Sequence, residues 1–278
     1  MITNAMTVDV EDYFHVNAFA KVIDRRQWDD FQPRVENNTH RILEAFAAAD
    51  VKATFFVLGW VAQRQPELIR RIASEGHEIA CHGLTHELVY NQTPEIFRDE
   101  TVTAKKILED IVGTRVRGYR ASTYSITRRS MWAMDILEEL GFDYDSSVFP
   151  IRHDVYGMPD ASRFPYRTPS GKMLEVPLST IDFAGARLPC SGGGYFRLLP
   201  YGVFRWMLQR LNGVDKQPGV FYFHPWEVDP GQPRVPNASW KSNFRHYTNL
   251  AATAGRLATL LREFKWDRMD RVFLSGAA

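Results

Sequence analysis

The chain has very little cysteine: only Cys81 and Cys190 among 278 residues. Two cysteines are too few for a disulfide framework, and Cys81 lies in an apolar run where a small buried side chain is expected. An excess of either charge is missing too, since 34 Lys and Arg face 33 Asp and Glu for a net +1. So even a balance gives no electrostatic reason to bind nucleic acid or an anionic membrane. No apolar run approaches the roughly 18 residues that read as a membrane span, so no transmembrane segment is expected. Met1 to Thr7 carry neither a charged n-region nor an apolar h-region, and acidic residues follow at once. A secretory leader is therefore not expected, and the reading is cytoplasmic. The glycine triplet Gly192–Gly194 is not followed by Gly-Lys-Ser/Thr and so is not a phosphate loop.

What is present fits one barrel-sized domain. Hydrophobic residues make up 45% and charged ones 24%, and 7 Trp, 11 Tyr and 18 Phe could line a sugar site as well as a core. Strand and helix signals alternate through the first half. Thr7–Phe14 reads as a strand running into acids, residues 36–48 as an amphipathic helix, Lys52–Leu58 as a strand, and Val61–Ser74 as one helix. Glu78–Cys81 is a short buried strand, and Thr93-Pro94 opens a helix running to Val112. Val116–Ala121 is a strand, Thr127 caps a helix ending at Gly141, and Phe142–Asp145 begins another strand. This alternation predicts a parallel sheet, barrel-like or doubly wound. Further on, Leu174–Thr180 and Gly219–Phe223 read as strands, Tyr201–Leu211 and Asn249–Phe264 as helices, and Gly192–Gly194 and Pro225–Pro236 as loops. No repeat or low-complexity linker divides the chain. A single domain over 1–278 is expected, with 230–278 as an extension packed on the barrel.

In a βα barrel, catalytic side chains come from the C-terminal ends of the strands. The chemistry-bearing residues fall there: Asp9, Glu11 and Asp12 after the first strand, His82 and His86 after the third, then Arg120 and His224. A turn through Gly83 can bring both imidazoles to one point, and neutral imidazole is the commonest ligand of a borderline divalent metal. Each residue alone has an ordinary reading, as a solvated acidic turn, a structural ion pair or a satisfied core histidine. The joint pattern favours a site. His15, His40, His153 and His246 fall outside it and are given no catalytic role.

Through these residues the chain resembles the polysaccharide deacetylases of carbohydrate esterase family 4, the group related to chitooligosaccharide deacetylase. The resemblance runs from Thr7 to about Glu227. Thr7-Val8-Asp9-Val10-Glu11-Asp12 resembles the family's first motif, an acidic pair after a strand. His82-Gly83-Leu84-Thr85-His86 is similar to its H-[ST]-x-x-H motif, Gly118-Tyr119-Arg120-Ala121-Ser122 to its R-x-P motif, and Phe223-His224-Pro225-Trp226-Glu227 to its final histidine motif. The D-V-E-D start, the H-P-W-E end and the stretch Asn243–Leu250 are similar to a subgroup found with exopolysaccharide gene clusters. Three departures stand out. The first motif is D-x-E-D rather than an adjacent acidic pair; on an extended strand Asp9 and Glu11 share a face, so Glu11 is the expected metal carboxylate, with Asp12 as the alternative if the strand has already turned. Ser122 replaces the family's proline, loosening the turn behind Arg120. Gly83 removes a hydroxyl that could contact substrate.

The resemblance implies a distorted (β/α) barrel of the polysaccharide deacetylase type and metal-assisted hydrolysis of an acetamide. Glu11, His82 and His86 would hold a divalent ion, with zinc expected, that acidifies water and polarises the acetyl oxygen. Asp9 would be the general base, oriented by Arg120, and His224 the general acid, oriented by an Asp for which Asp143 and Asp145 are candidates. Tyr124, Phe149 and Trp226 could form the wall facing an N-acetylated carbohydrate, either a polysaccharide or its lipid- or nucleotide-linked precursor. Two rival readings remain: a metal-independent amidohydrolase of the allantoinase-like type on the same fold, and a non-catalytic carbohydrate-binding relative.

Overall fold

The computed structural model describes residues 1–274. It opens with β1 (Thr3–Val10), α1 (Val35–Ala48), β2 (Thr54–Val57), α2 (Gly59–Arg64), α3 (Pro66–Ser74), β3 (Glu78–Cys81), α4 (Pro94–Val112), β4 (Gly118–Tyr119), α5 (Trp132–Glu139) and β5 (Tyr144–Asp145). β6 (Tyr166–Arg167), β7 (Leu174–Glu175) and the hairpin β8 (Thr180–Phe183) and β9 (Ala186–Pro189) follow. The last part holds α6 (Gly193–Leu198), α7 (Tyr201–Gly213), β10 (Val220–Phe223), α8 (Trp240–Tyr247), α9 (Leu250–Glu263), β11 (Lys265–Asp267) and α10 (Met269–Phe273). Among the described residues no helix is long and apolar enough to cross a membrane.

The main sheet runs β10-β1-β2-β3-β4-β5-β7-β6, with β11 also on β1, and only β6–β7 is antiparallel. It curls into a distorted (β/α) barrel. The backbone ladder is missing between β10 and the segment after β7, where the Val220 N–H donates instead to Ser179 Oγ at 2.7 Å. β1 is buried along seven of its eight residues because parallel strands flank it on both sides. Its period of two still sorts the side chains. Met6, Val8 and Val10 join the apolar layer under the helices, whereas Ala5 belongs to a second cluster with Phe56, Ala80, Tyr144 and Tyr222. Thr7 and Asp9 continue the Ala5 row, which puts a carboxylate at the far end of that inner row.

Several boundaries differ from the sequence reading. β1 begins at Thr3 and stops at Val10, where the Glu11 N–H bonds back to Asp9 O at 3.0 Å. The helix expected over 61–74 breaks at Gln65, because Pro66 has no N–H to continue the ladder. α4 keeps both expected ends: Thr93 Oγ1 accepts the Ile96 N–H at 3.3 Å and Gly113 closes it at φ 70°. The segment Leu174–Thr180 splits, its first residues pairing with β5 and Thr180 opening the β8–β9 hairpin. The glycine triplet opens α6 rather than forming only a loop, and α8 lies where no element was expected.

Asp145 and Glu175 are partners across β5 and β7, and both are fully buried. Asp145 accepts from the Ser147 hydroxyl (2.6 Å) and Ser147 N–H (3.2 Å), and Glu175 Oε1 accepts from the Val148 N–H (3.0 Å). Glu175 Oε2 has no partner unless it carries a proton directed at Asp145. Burial raises both carboxyls above their ordinary range, Glu175 the more strongly. An acid raised in the folded state keeps a proton that the unfolded chain has lost, so this pair makes stability fall as pH climbs out of the glutamate range. Glu175→Gln keeps a donor towards Asp145 and removes the titration. Between pH 5 and 9 the variant is expected to gain about 1–2 kcal/mol relative to the parent in urea unfolding. Parallel pH profiles for the two proteins would refute the shared proton.

Candidate metal centre and active site

The ends of β1, β3, β4 and β10 converge on one point. His82 follows β3, with its N–H on Val57 O at 2.9 Å, and its Nδ1 lies 2.8 Å from Arg120 O. That contact puts the proton on Nδ1 and leaves the Nε2 lone pair free. Gly83 turns the chain at φ 77°, and the Gly83 and Leu84 carbonyls accept the Gly59 and Trp60 N–H groups at the start of α2 (2.8 and 3.0 Å). His86 is itself left-handed at φ 56°, which costs a non-glycine residue about 1 kcal/mol. The result is a His86 Nε2 2.7 Å from Glu11 Oε2.

Donor atoms of Glu11, His82 and His86 all lie within 4.8 Å of one another, and all three residues are buried. Glu11 Oε2 accepts no well-aligned hydrogen bond, although His86 Nε2 lies 2.7 Å away. Burial alone would raise Glu11, but His86, His224 and His82 outweigh it and hold the carboxylate far below its usual range. Burial also lowers His82 to about 4, so it stays neutral and free to ligate. A buried carboxylate oxygen facing two imidazoles suits a borderline divalent ion such as zinc.

Asp12 is not brought to this cluster, which corrects its placing as an alternative ligand. The strand has turned by then: one Asp12 oxygen accepts the Tyr13 N–H (2.9 Å), and the other accepts Arg34 and Val35 N–H (2.5 and 2.9 Å) at the start of α1. Asp12 is a helix cap, and burial raises it to about 6 despite these three donors.

Asp9 lies between two donors. Arg120 Nη1 donates to Oδ1 at 2.6 Å and the Tyr124 hydroxyl to Oδ2 at 3.2 Å. Arg120 is fully buried, donating also to Thr7 Oγ1 (2.8 Å), Ser146 O (3.2 Å) and Ser146 Oγ (3.2 Å), with its guanidinium 4.0 Å above Phe56. Ser122 does not loosen the turn behind it. Ser122 Oγ donates to His82 O (3.3 Å), and Thr123 and Tyr124 are both left-handed (φ 53° and 52°), which aims the Tyr124 hydroxyl at Asp9. A side chain at Gly83 would face Tyr119 and Ser122, so the hydroxyl missing there would point away from the cleft.

His224 Nε2 lies 3.5 Å from Glu11 and 4.0 Å from Asp9, and its Nδ1 lies 2.9 Å from Glu227 Oε2. Burial would lower His224, but Glu11, Glu227 and Asp9 reverse the effect and raise it to about 9, keeping it protonated. Its orienting acid is therefore Glu227, not Asp143, which pairs with Arg115 and Arg117, nor Asp145, which pairs with Glu175. Glu227 lies three residues after His224, a spacing that a turn at His-Pro-Trp-Glu could have suggested. Arg197 holds its other oxygen at 2.8 Å, and a Cβ on Gly193 would fall only 2.0 Å from Glu227 Oε2. The glycine triplet thus makes room for this carboxylate.

The centre opens into a cleft of about 860 Å³. Tyr124 and Trp226 line it, Trp226 stacked between His224 (5.1 Å) and His246 (4.1 Å) with its Nε1 3.5 Å from Glu11. Phe149 does not line it, which corrects its placing on the wall. It is buried behind Tyr156, their rings parallel at 5.8 Å, and Tyr156 presents the exposed face with His153 stacked at 3.8 Å.

Fold and site define a distorted (β/α) barrel with a His-His-carboxylate centre at its strand ends. Residues 27–144 match the polysaccharide deacetylase family, and residues 146–274 match a domain of unknown function (DUF3473). A chitooligosaccharide deacetylase of Bradyrhizobium sp. is 34% identical over 99 residues, 36% of this chain and 43% of that protein. A peptidoglycan-N-acetylglucosamine deacetylase of Bacillus cereus is 26% identical over 174 residues, 58% and 62% of the two. The chain thus aligns with less than two thirds of the length of either relative. A solved structure from Mycobacterium smegmatis, assigned to the polysaccharide deacetylases, superimposes with TM-score 0.63 at 21% identity, covering 98% of this chain and 88% of that one. An allantoinase does so at 0.60 and 19%, with the same coverage. Both show the fold alone.

The purified chain is expected to carry about one zinc, measured by elemental analysis. Glu11→Gln should weaken zinc binding at least about 100-fold, and the His82→Ala, His86→Ala double variant should abolish it. Asp12→Asn should keep full metal content while losing about 1 kcal/mol of stability. Metal retained by E11Q and lost by D12N would reverse the assignment.

Proposed function

We propose that this chain is a metal-dependent hydrolase that removes N-acetyl groups from sugar units of a polysaccharide, such as an exopolysaccharide, or of its lipid- or nucleotide-linked precursor. The observation that carries the proposal is the convergence of Asp9, Glu11, His82, His86 and His224 at the base of one cleft, each with its own buried partner. The named activities of the relatives support it. We also read the two matched segments as one catalytic unit, since Asp9, His82 and His86 come from the first part of the chain and His224 from the second.

A divalent ion held by Glu11, His82 and His86 would act as a Lewis acid on the amide carbonyl and lower the pKa of water. Asp9 accepts a proton from the attacking water as the new carbon–oxygen bond forms. Arg120 and Tyr124 hold its two oxygens in place, aimed into the cleft. His224, oriented by Glu227, passes the Nε2 proton to the departing amine as the carbon–nitrogen bond breaks. Acetate and a free amino sugar are the products. Tyr124 and Trp226 bound the space in which the acetamido sugar sits.

Acetate release from N-acetylated chitooligosaccharides by the zinc-loaded chain tests this directly. Asp9→Asn and His224→Ala should each lower kcat by about 10²–10⁴-fold, with KM changed far less. Binding of the oligosaccharide without any acetate release would leave a non-catalytic carbohydrate-binding protein. Full activity of metal-stripped protein would sink the metal-dependent mechanism.

A further inference from the structure

We propose that the outer part of the cleft binds an anionic group of the substrate, a uronate carboxylate or a sugar-linked phosphate, carried beside the acetamido sugar. This rests on the deacetylase reading and narrows it to acidic N-acetylated glycans.

The charges at the deep end of the cleft are satisfied among themselves. Asp9 pairs with Arg120, Glu11 faces His86, and Glu227 pairs with Arg197 and His224. Outside that centre the charged lining consists of Lys21, Lys241 and Arg245 against one carboxylate, Asp154. A chain with a net charge of only +1 therefore places a local cationic excess at the mouth of this cleft. Lys241 reaches Asp154 at 3.4 Å, but the Lys21 and Arg245 side chains make no hydrogen bond or ion pair with any described residue. Arg245 lines the same cleft as His153, Asp154, Tyr156 and Tyr195.

The backbone that carries these cations is tied to the centre. The buried Arg197 guanidinium, which holds Glu227, also donates to Arg245 O (3.1 Å), His246 O (3.0 Å) and Thr248 O (2.6 Å). The last turn of α8 is thereby fixed relative to His224. Phe19 packs on His246 at 4.7 Å and on Tyr247 at 6.2 Å, bringing the Lys21 segment against the same helix. Along α8 Lys241 and Arg245 form one stripe, and Trp240 and Phe244, 81% and 53% exposed, form another. Phe244 lines the cleft with the cations. An aromatic face beside positive charge suits a pyranose ring bearing an anionic substituent, and the cleft walls focus the field of those charges.

The test is calorimetric binding to the zinc-loaded full chain at about 50 mM salt, where such fields are least screened. The probes are neutral N-acetylchitotetraose, a hyaluronan tetrasaccharide with alternating uronate, and UDP-N-acetylglucosamine. At least one acidic probe should bind roughly tenfold more tightly than the neutral one. That ratio should fall to about twofold or less in about 0.5 M salt and in the Lys21→Gln, Arg245→Gln variant. A preference for hyaluronan alone identifies a carboxylate within a polymer, and one for the nucleotide sugar alone identifies a phosphate. Equal binding of all three, no binding of any, or a preference undiminished in the variant would overturn the subsite. Acetate release in the same samples reports separately: no acetate, with the acidic preference intact, would overturn the deacetylase reading and leave the subsite standing.

Discussion

The buried pair between Arg120 and Asp9 is the interaction on which the rest of the site depends. Both side chains are buried, and desolvating two charges costs several kcal/mol per ion unless their donors and lone pairs are met. Here they are met from several elements at once. Thr7 and Asp9 come from β1, Phe56 from β2, and Ser146 from the residue after β5. Thr7 passes the contact on, its hydroxyl donating to Phe221 O in β10 at 2.9 Å. The carbonyl of Arg120 orients His82. One residue therefore aims the proposed base through its side chain and a proposed metal ligand through its backbone. Lysine could not do this, since it lacks the planar fork that reaches several acceptors in fixed directions.

Much of this was legible from sequence because the site sits at strand ends, and strand ends are marked by a change from apolar to chemistry-bearing residues. Asp9, Glu11, His82, His86, Arg120 and His224 all carry that mark, and the structure brings them together. The failures share a cause. Asp12 follows the same apolar strand, but its role is set by the start of α1 more than twenty residues later, and no local pattern announces that partner. Glu227 escapes the sequence reading because the resemblance directs attention to an Asp and residues 225–236 read as a loop, whereas a single turn of 3-10 helix over Pro225–Val228 folds its carboxylate back onto His224. Phe149 and Tyr156 are both aromatic, and only their order in the stack decides which one meets the cleft. Residues such as Gly193 have no signal of their own, since their function is the space they leave.

The second half of the chain is part of the site rather than a neighbour to it. β10 and β11 both pair with β1, so the sheet that carries Asp9 is completed by residues far away in sequence. Glu227 gives the clearest coupling. Arg197 reaches it from α6 and with the same guanidinium gathers the carbonyls that end α8. Arg197 and Glu227 form a second buried ion pair, parallel in logic to Arg120 and Asp9. Each pair couples one proposed proton-transfer group to a separate part of the scaffold.

Backbone strain is placed with the same economy. His86, Thr123 and Tyr124 all occupy the left-handed region, where each non-glycine residue costs about 1 kcal/mol. They lie on two neighbouring loops, one bearing a histidine of the candidate metal centre and the other the hydroxyl that faces Asp9. Ser125, fully buried, ties those loops together, accepting the Val89 N–H at 2.9 Å and donating to Ser122 O at 2.6 Å. The first loop is fixed again where the Gly83 and Leu84 carbonyls meet the N-terminus of α2. Relaxing either loop would break these bonds and leave buried polar groups without partners, at about 1–3 kcal/mol for each group. That penalty exceeds the strain it would relieve. Imidazole, carboxylate and hydroxyl are therefore held in place before any substrate arrives, and groups fixed in advance need no reorganisation when charge develops in the reaction.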